Sequence, residues 1–173
     1  LPDGQRLKND KGLELLDRMA RKIHWGSKKS KRPYVGKGIA LCMREINVGE
    51  ANIEVGFKQD GRLYIKTTVP DTGTGAHTIF RQIVGETLNI PAHDIDVLIG
   101  NTDTLPTDVV VSASRVTYLA GQAAQKAAGE LRQRLIAAAS NHLGCPRDSI
   151  RITRGTVHGP NHKRIPFAEI ASL

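Results

Sequence analysis

Residues 69–89 read VPDTGTGAHTIFRQIVGETLN, a strand end running into Gly73-Thr74-Gly75 and then at once into a helix. The apolar residues Ile79, Phe80, Ile83, Val84 and Leu88 recur at helical spacing. The first backbone N–H groups of a helix have no intrahelical partner and carry the positive end of its dipole. Glycines placed just before them let a ligand approach the main chain. The arrangement suits an anion, phosphate above all. A plainer reading is a tight turn made by two glycines, with Thr74 capping the helix. On this stretch alone the plainer reading stands first.

Upstream, residues 51–57 alternate cleanly: Ala51, Ile53, Val55 and Phe57 share one face. Asp60-Gly61 supplies a hairpin turn. Leu63, Ile65, Thr67 and Val69 continue the apolar face on the return strand, so two antiparallel strands are predicted. Residues 36–46 (GIALCMREI at their centre) read as a mostly buried strand, with Cys42 as a small apolar filler. Further upstream, residues 11–23 form an amphipathic helix through Leu13, Leu15, Leu16, Met19 and Ile23. Core packing is the default role of Trp25, the one tryptophan.

Downstream, residues 95–99 (IDVLI) read as a short strand and 100–111 as a loop. A long helix is predicted over about 116–142, with Leu119, Ala123, Ala127, Leu131 and Leu135 turned inward. Residues 150–153 read as a strand, 156–164 as a polar loop, and 166–173 as a last helix opened by Pro166. This order predicts an α+β fold: a two-layer mixed β-sheet with helices packed on it. Residues 1–32 read as an N-terminal helix and basic linker arm, and 33–173 as the main domain.

A length of 173 residues fits one domain with an arm. Cys42 and Cys145 fall in no metal-ligand or disulfide pattern. No apolar run is long enough for a membrane-spanning helix, and no signal-peptide pattern opens the chain, so a cytoplasmic location is expected. The formal charge of +8 points to an anionic partner. Lys28, Lys29, Lys31 and Arg32 contribute much of it and read first as a solvated linker. The chain begins Leu-Pro-Asp and stops within a helical pattern, so a piece of a longer polypeptide is expected.

A second stretch shifts the balance at Gly73-Thr74-Gly75. Residues 111–117, VSASRVT, lie just before the long helix. Ser112, Ser114 and Thr117 offer hydroxyls, and Arg115 a planar fork that can grip phosphate with two bonds. One such loop reads as a cap and a surface charge. Two in one small domain point to a shared anionic ligand, a pyrophosphate or dinucleotide. His77 reads as a helix-face histidine. His158 and His162 lack the carboxylate or cysteine that a metal site needs, and Asp94, Asp96, Asp103 and Asp108 read as solvent-exposed. The Gly-Thr-Gly loop is no Rossmann fingerprint, because no third glycine follows.

The ordered set DTGTGAHTIFRQIV, NIPAHDIDVLIGNTDTLPTD and SASRVTYLAGQAAQKAAGELRQRL resembles the molybdopterin-binding (large) subunit of the xanthine dehydrogenase/aldehyde oxidase family. The resemblance covers most of the chain from about Lys11. It implies a molybdenum-cofactor-binding-domain-like fold. Thr72, Gly73, Thr74 and Gly75 match the loop that lies against the pterin. Ala113, Ser114, Arg115, Val116 and Thr117 match the loop that holds the pterin and its phosphate. The implied cofactor is molybdopterin, in bacterial members commonly its cytosine dinucleotide, with molybdenum. The implied reaction is hydroxylation of an aldehyde or heteroaromatic carbon by water, with electrons leaving through iron–sulfur and FAD subunits or domains. Many members have Gln in place of Thr74 and Ser in place of Val116. The family's Gly-rich, Phe-containing segment and its late glutamate base have no match in this chain. The expectation is therefore a fragment that binds its cofactor within the remainder of the large subunit, and that alone is inactive and free of cofactor. The rival reading is a non-catalytic basic module for nucleic acid or another polyanion.

Overall fold

The computed structural model describes residues 9–27, 33–42, 49–101, 103–105 and 111–172. The chain divides into two compact units, residues 1–44 and 45–173. In the first, helix α1 (Gly12–Lys22) follows the predicted amphipathic stretch. Asp10 accepts a hydrogen bond from the Gly12 N–H at 2.8 Å, which satisfies one of the free donors of the first turn. At the other end the Lys37 ammonium donates to the carbonyls of Ile23 and His24, at 2.7 and 3.2 Å. A cation there also meets the negative end of the helix dipole.

This unit corrects three expectations. Among the described residues, 36–42 form no strand and are almost wholly exposed; 43–46 lie outside the described residues. Cys42 is exposed, and so is Trp25, at 51%. The physical reason is the lack of a core: α1 buries none of its residues, and its stripe of Leu15, Leu16, Met19 and Ile23 lines an open hollow with the short run Gly38, Ile39, Ala40 and Leu41. Apolar composition predicts burial only where there is apolar surface to bury against.

The second unit carries the core. Strands β1 (Glu54–Phe57) and β2 (Leu63–Thr67) pair antiparallel as predicted, with Val55 opposite Ile65 and Phe57 opposite Leu63. Leu63, Ile65, Thr67 and Val69 are all buried. On the other face Tyr64 lies over Gly56, its direct cross-strand partner, and donates to Glu54 Oε1 at 2.5 Å. Lys58, Asp60, Arg62 and Asp96 form an ion-pair network beside the turn, with Lys58 Nζ 2.6 Å from Asp96 Oδ2.

Helix α2 (Ala76–Leu88) follows, and strand β3 (Asp96–Ile99) then pairs parallel with β2. The connection is a β–α–β crossover of the kind a parallel pair requires. Ala76, Phe80, Val84 and Leu88 recur every four residues on the buried face of α2. Asn89, in the left-handed region at φ 53°, closes the helix, and the Ile90 N–H returns to the Gly85 carbonyl at 2.9 Å.

A π-helical turn, Val116–Ala120, leads into α3 (Gly121–Leu143). Its buried residues include Ala120, Gly121, Ala124, Ala128, Leu135, Ile136 and Ala139. The predicted inward stripe is displaced by one residue over its first turns: Leu119 and Ala127 are half-buried, Ala123 likewise, and Leu131 follows them. Small side chains form the contact because they let α3 approach α2. A Cβ on Gly121 would stand 3.1 Å from Ile83 Cδ1.

The predicted polar loop at 156–164 is corrected most clearly. Strands β4 (Arg151–Thr153), β5 (Thr156–His158) and β6 (Arg164–Pro166) form a second sheet, antiparallel throughout, ahead of the short helix α4 (Phe167–Ile170). Each strand buries one side chain, and Ile152, Val157 and Ile165 stand in one row. One apolar residue per strand is too few to register as period-two alternation. Asn89 ties this sheet to α2: its Nδ2 donates to the Ile152 carbonyl at 3.1 Å, and its own carbonyl accepts from the Arg154 N–H at 2.8 Å. The fold is α+β, as expected, with the β structure split between one mixed and one antiparallel sheet.

Two outcomes test this packing. Gly129 faces open space within α3, whereas a Cβ on Gly85 would lie 2.6 Å from the Ile90 carbonyl oxygen. Gly129→Ala is expected to stabilise the chain by about 0.5–1 kcal/mol and Gly85→Ala to destabilise it by about 1–3 kcal/mol in urea unfolding. The hydrogen bond to Glu54, aided by burial, pushes the Tyr64 phenol up to about 12. The neutral phenol is thus favoured in the folded state. Its contribution is complete below the ordinary tyrosine value of about 10 and is lost as pH rises through the raised one. Tyrosinate absorbance is expected to show one late-titrating group, and Glu54→Ala to return it toward the ordinary value.

Candidate functional site

The parallel pair β2–β3 puts both carboxyl ends at one edge of the sheet, where the Gly100 N–H donates to the Thr67 carbonyl at 3.0 Å. The loop that holds Thr72, Gly73, Thr74 and Gly75 leaves from this edge. Three local bonds fix its path. The Thr67 hydroxyl accepts from the Val69 N–H at 3.1 Å. Asp71 Oδ1 accepts from the Gly73 N–H at 3.1 Å, an Asx turn. His77 Nε2 lies 2.8 Å from the Val69 carbonyl oxygen. A carbonyl only accepts, so Nε2 carries the proton. His77 therefore clamps the strand end to the first turn of α2 and is no free helix-face histidine.

The expected Thr74 cap is absent. Gly75, at φ 74°, occupies the N-cap position of α2, and no side chain caps the helix. Thr72, Gly73 and Thr74 are exposed. A Cβ built on Gly73 or on Gly75 meets nothing within 4 Å. The first-turn amides of α2 thus stand behind an open, side-chain-free approach.

In the second loop, Ala113 and Ser114 both adopt left-handed backbone, at φ 50° and 55°. Two successive non-glycine residues there store strain. Neither Ser112 nor Ser114 caps the π-helical turn. The Arg115 N–H donates to the Ser112 carbonyl at 3.3 Å, and the Leu119 N–H to the Arg115 carbonyl at 2.7 Å. Arg115 and Val116 are half-buried; Ser114 and Thr117 are exposed. A small hollow of about 10 Å³ is lined by Glu50, Val69, Arg115 and Val116 among others. The roots of the two loops are therefore neighbours: Val69 from the first meets Arg115 and Val116 from the second.

Two groups near this edge carry no signal in the sequence. The hydroxyl of Thr68, on β2's extension into the first loop, and Nε of Arg81, in the second turn of α2, are enclosed without a hydrogen-bond partner among the described residues. Buried polar atoms are rarely left so.

A cleft of about 760 Å³ lies at the far end of α2 around Glu86, Asn89, Ile90 and Arg154. It has no set of converging amides, and Glu86 opposes an anion there. The open loops, with their uncapped helix start and Arg115, are the better anion site despite their smaller hollow. Among the described residues no cluster of three His, Cys, Asp or Glu side chains could hold a metal. Asp96 is engaged by Lys58, whose hydrogen bond holds its carboxyl below the usual range. Asp108 lies outside the described residues. No helix among the described residues is long and apolar enough to cross a membrane.

Residues 11–173 match the molybdopterin cofactor-binding domain family, and the chain belongs to it. It is 29% identical over 164 residues to the probable hypoxanthine oxidase XdhD of Escherichia coli (strain K12), covering 91% of this chain and 17% of that protein. It is 31% identical over 136 residues to a nicotinate dehydrogenase subunit of Pseudomonas putida, covering 79% and 11%. Among solved structures it resembles quinoline 2-oxidoreductase from Pseudomonas putida 86, with a TM-score of 0.58 and 28% identity over 68% of this chain and 15% of that one. A Cu,Mo-CO dehydrogenase matches with a TM-score of 0.59 at 26% identity, over 68% and 15% of the two chains. The chain thus spans less than a fifth of the length of these relatives.

His77→Ala removes the clamp on Val69 and is expected to destabilise the chain by about 1 kcal/mol in urea unfolding. His77→Gln, which keeps a donor near the same place, is expected to recover part of the loss.

Proposed function

We propose that this chain is the part of a molybdenum hydroxylase large subunit that grips the pterin cofactor between two loops. Thr72, Gly73, Thr74 and Gly75 form one wall; Ala113, Ser114, Arg115, Val116 and Thr117 form the other. The observation that carries the reading is the uncapped start of α2 behind Gly73 and Gly75, where no protein atom occupies the space a side chain would take. Free amides and the helix dipole favour an anionic group there. Arg115 adds a guanidinium at the root, suited to a phosphate oxygen pair. The exposed hydroxyls of Thr72, Thr74, Ser114 and Thr117 can turn to accept or donate as the ligand requires.

When bound, the group supplies the redox chemistry by which such enzymes hydroxylate an aldehyde or heteroaromatic carbon with water. This chain's residues bind and orient it. The reading takes the cytosine dinucleotide form of the cofactor, which gives the two phosphates that two anion-suited loops call for. It also takes residues 1–32 as an arm to the cofactor-binding region of 33–173. The base, the remaining cofactor contacts and the electron path come from the rest of the subunit and from iron–sulfur and FAD partners in the cytoplasm. Support for such partners comes from relatives named as subunits, among them the gamma subunit of a 6-hydroxypseudooxynicotine dehydrogenase complex from Paenarthrobacter nicotinovorans, 34% identical over 143 residues. By itself the chain is read as inactive and without cofactor.

The test is cofactor content in the full-length subunit. Gly75→Val fills the approach and is expected to lower bound molybdenum, and the CMP released by acid hydrolysis, by at least about tenfold; Arg115→Ala removes one charge-assisted contact and is expected to lower both by about tenfold. Wild-type content in both variants overturns the site. Molybdenum without released CMP overturns the dinucleotide form.

A further inference from the structure

The outer face of the β4–β5–β6 sheet presents a basic row with no counter-charge of its own among the described residues. Ile152, Val157 and Ile165 cross the sheet in register and face the core. In the adjacent row Arg151 stands opposite His158, and His158 opposite Arg164; all three are exposed. Opposed side chains in an antiparallel sheet come within about 5 Å, so the row forms one strip with a guanidinium at each end and an imidazole between them. Among the described residues no ion pair or hydrogen bond engages these three side chains. Residues 147–166 hold five Lys and Arg against the single carboxylate of Asp148, which is half of the chain's net charge. Lys163 is already committed to the Leu143 carbonyl, at 3.1 Å.

We propose that this face docks a carboxylate-rich segment belonging to the rest of the large subunit. The row stands exposed and lines neither the cleft at the end of α2 nor the one beside Phe57 and Phe167, so an extended protein segment suits it better than an enclosed small anion. The other outward positions, Thr153, Thr156 and Pro166, give no aromatic surface on which nucleic-acid bases could stack. Carboxylates from a covering segment gain charge-assisted hydrogen bonds to Arg151 and Arg164. The covering segment is assigned to the same polypeptide because the relatives extend far beyond the stretch they share with this chain. The proposal rests on the reading of the chain as one part of such a subunit. A failure confined to it leaves molybdenum and CMP content at wild-type values.

Two measurements on the full-length subunit decide it. In the Arg151→Lys/Arg164→Lys variant, a zero-length carbodiimide cross-linker joins amines to carboxylates. Mass spectrometry is expected to find positions 151 and 164 linked to Asp or Glu side chains of the same polypeptide outside this 173-residue stretch. Links only to another subunit, or no links, overturn the proposal. His158→Glu puts a carboxylate between two guanidiniums. On a bare face the new carboxylate pairs with the two guanidiniums and raises Tm; against an acidic segment it is expected to lower Tm by about 2–5 °C, with His158→Gln moving it far less. A raised or unchanged Tm in His158→Glu overturns the proposal.

Discussion

β2 and β3 run side by side in the same direction, and a parallel pair cannot be closed by a hairpin. The chain must leave the end of β2, cross one face of the sheet and return. α2 is that crossing. Its length and its apolar face follow from the need to bury Phe80, Val84 and Leu88 over Ile65 and its neighbours. Its second exposed flank has to be covered as well, and α3 covers it with alanines small enough to lie close. The same constraint fixes the position of the candidate site. In an open sheet with parallel strands, ligands bind beyond the carboxyl ends, where crossover loops leave room. Gly73-Thr74-Gly75 lies there because α2 must start there.

The cost of the site is concentrated at that edge and borne by the core. Successive left-handed residues at Ala113 and Ser114, an uncapped helix start, and enclosed polar atoms on Thr68 and Arg81 each work against folding. Features of this kind cost of order 1–3 kcal/mol each. They persist because the elements on either side are over-determined. Val69 is held by the Thr67 hydroxyl and by His77, and Ala120 is packed into the same core as Ala76. Strain next to well-packed anchors is a common arrangement at sites that must be ready before a ligand arrives.

The parts of the fold legible in the sequence were those with a long enough period. The β1–β2 hairpin has four alternating positions on each strand, and α2 repeats its apolar residues over three turns; both came through with their faces correct. β4, β5 and β6 each commit one residue to the core, and no pattern arises from one residue. The one-residue displacement on α3 was hidden for a different reason. A four-residue spacing anchored on Leu119 and Leu131 carries Ala123 and Ala127 with it, but α2 lies close enough that the next residues along, Ala120, Ala124 and Ala128, make the contact. Cys42 and Trp25 show the opposite error, in which apolar character was taken for burial although their unit offers little to bury them. At the site, the residue types of both loops were legible. The His77 clamp and the enclosed Thr68 hydroxyl were not, because they depend on where a strand end falls against a helix.

The glycines separate by what a side chain would meet. At Gly61, Gly85 and Gly100 an added Cβ would run into Ala168, the Ile90 carbonyl oxygen and Leu105, so packing alone explains them. At Gly73 and Gly75 it would meet nothing. Their positive φ, 86° and 74°, is the reason for glycine there. Eight described residues other than glycine also adopt positive φ, among them Ala113, Ser114, Asn161 and His162. At Gly73 and Gly75 the space is free of protein. The same pairing of positive φ and open space recurs at Gly26, Gly144 and Gly155, so the turn by itself accounts for glycine at all five; what distinguishes Gly73 and Gly75 is their place, just ahead of the first amides of α2, and it is this place that the proposed cofactor-binding reading uses.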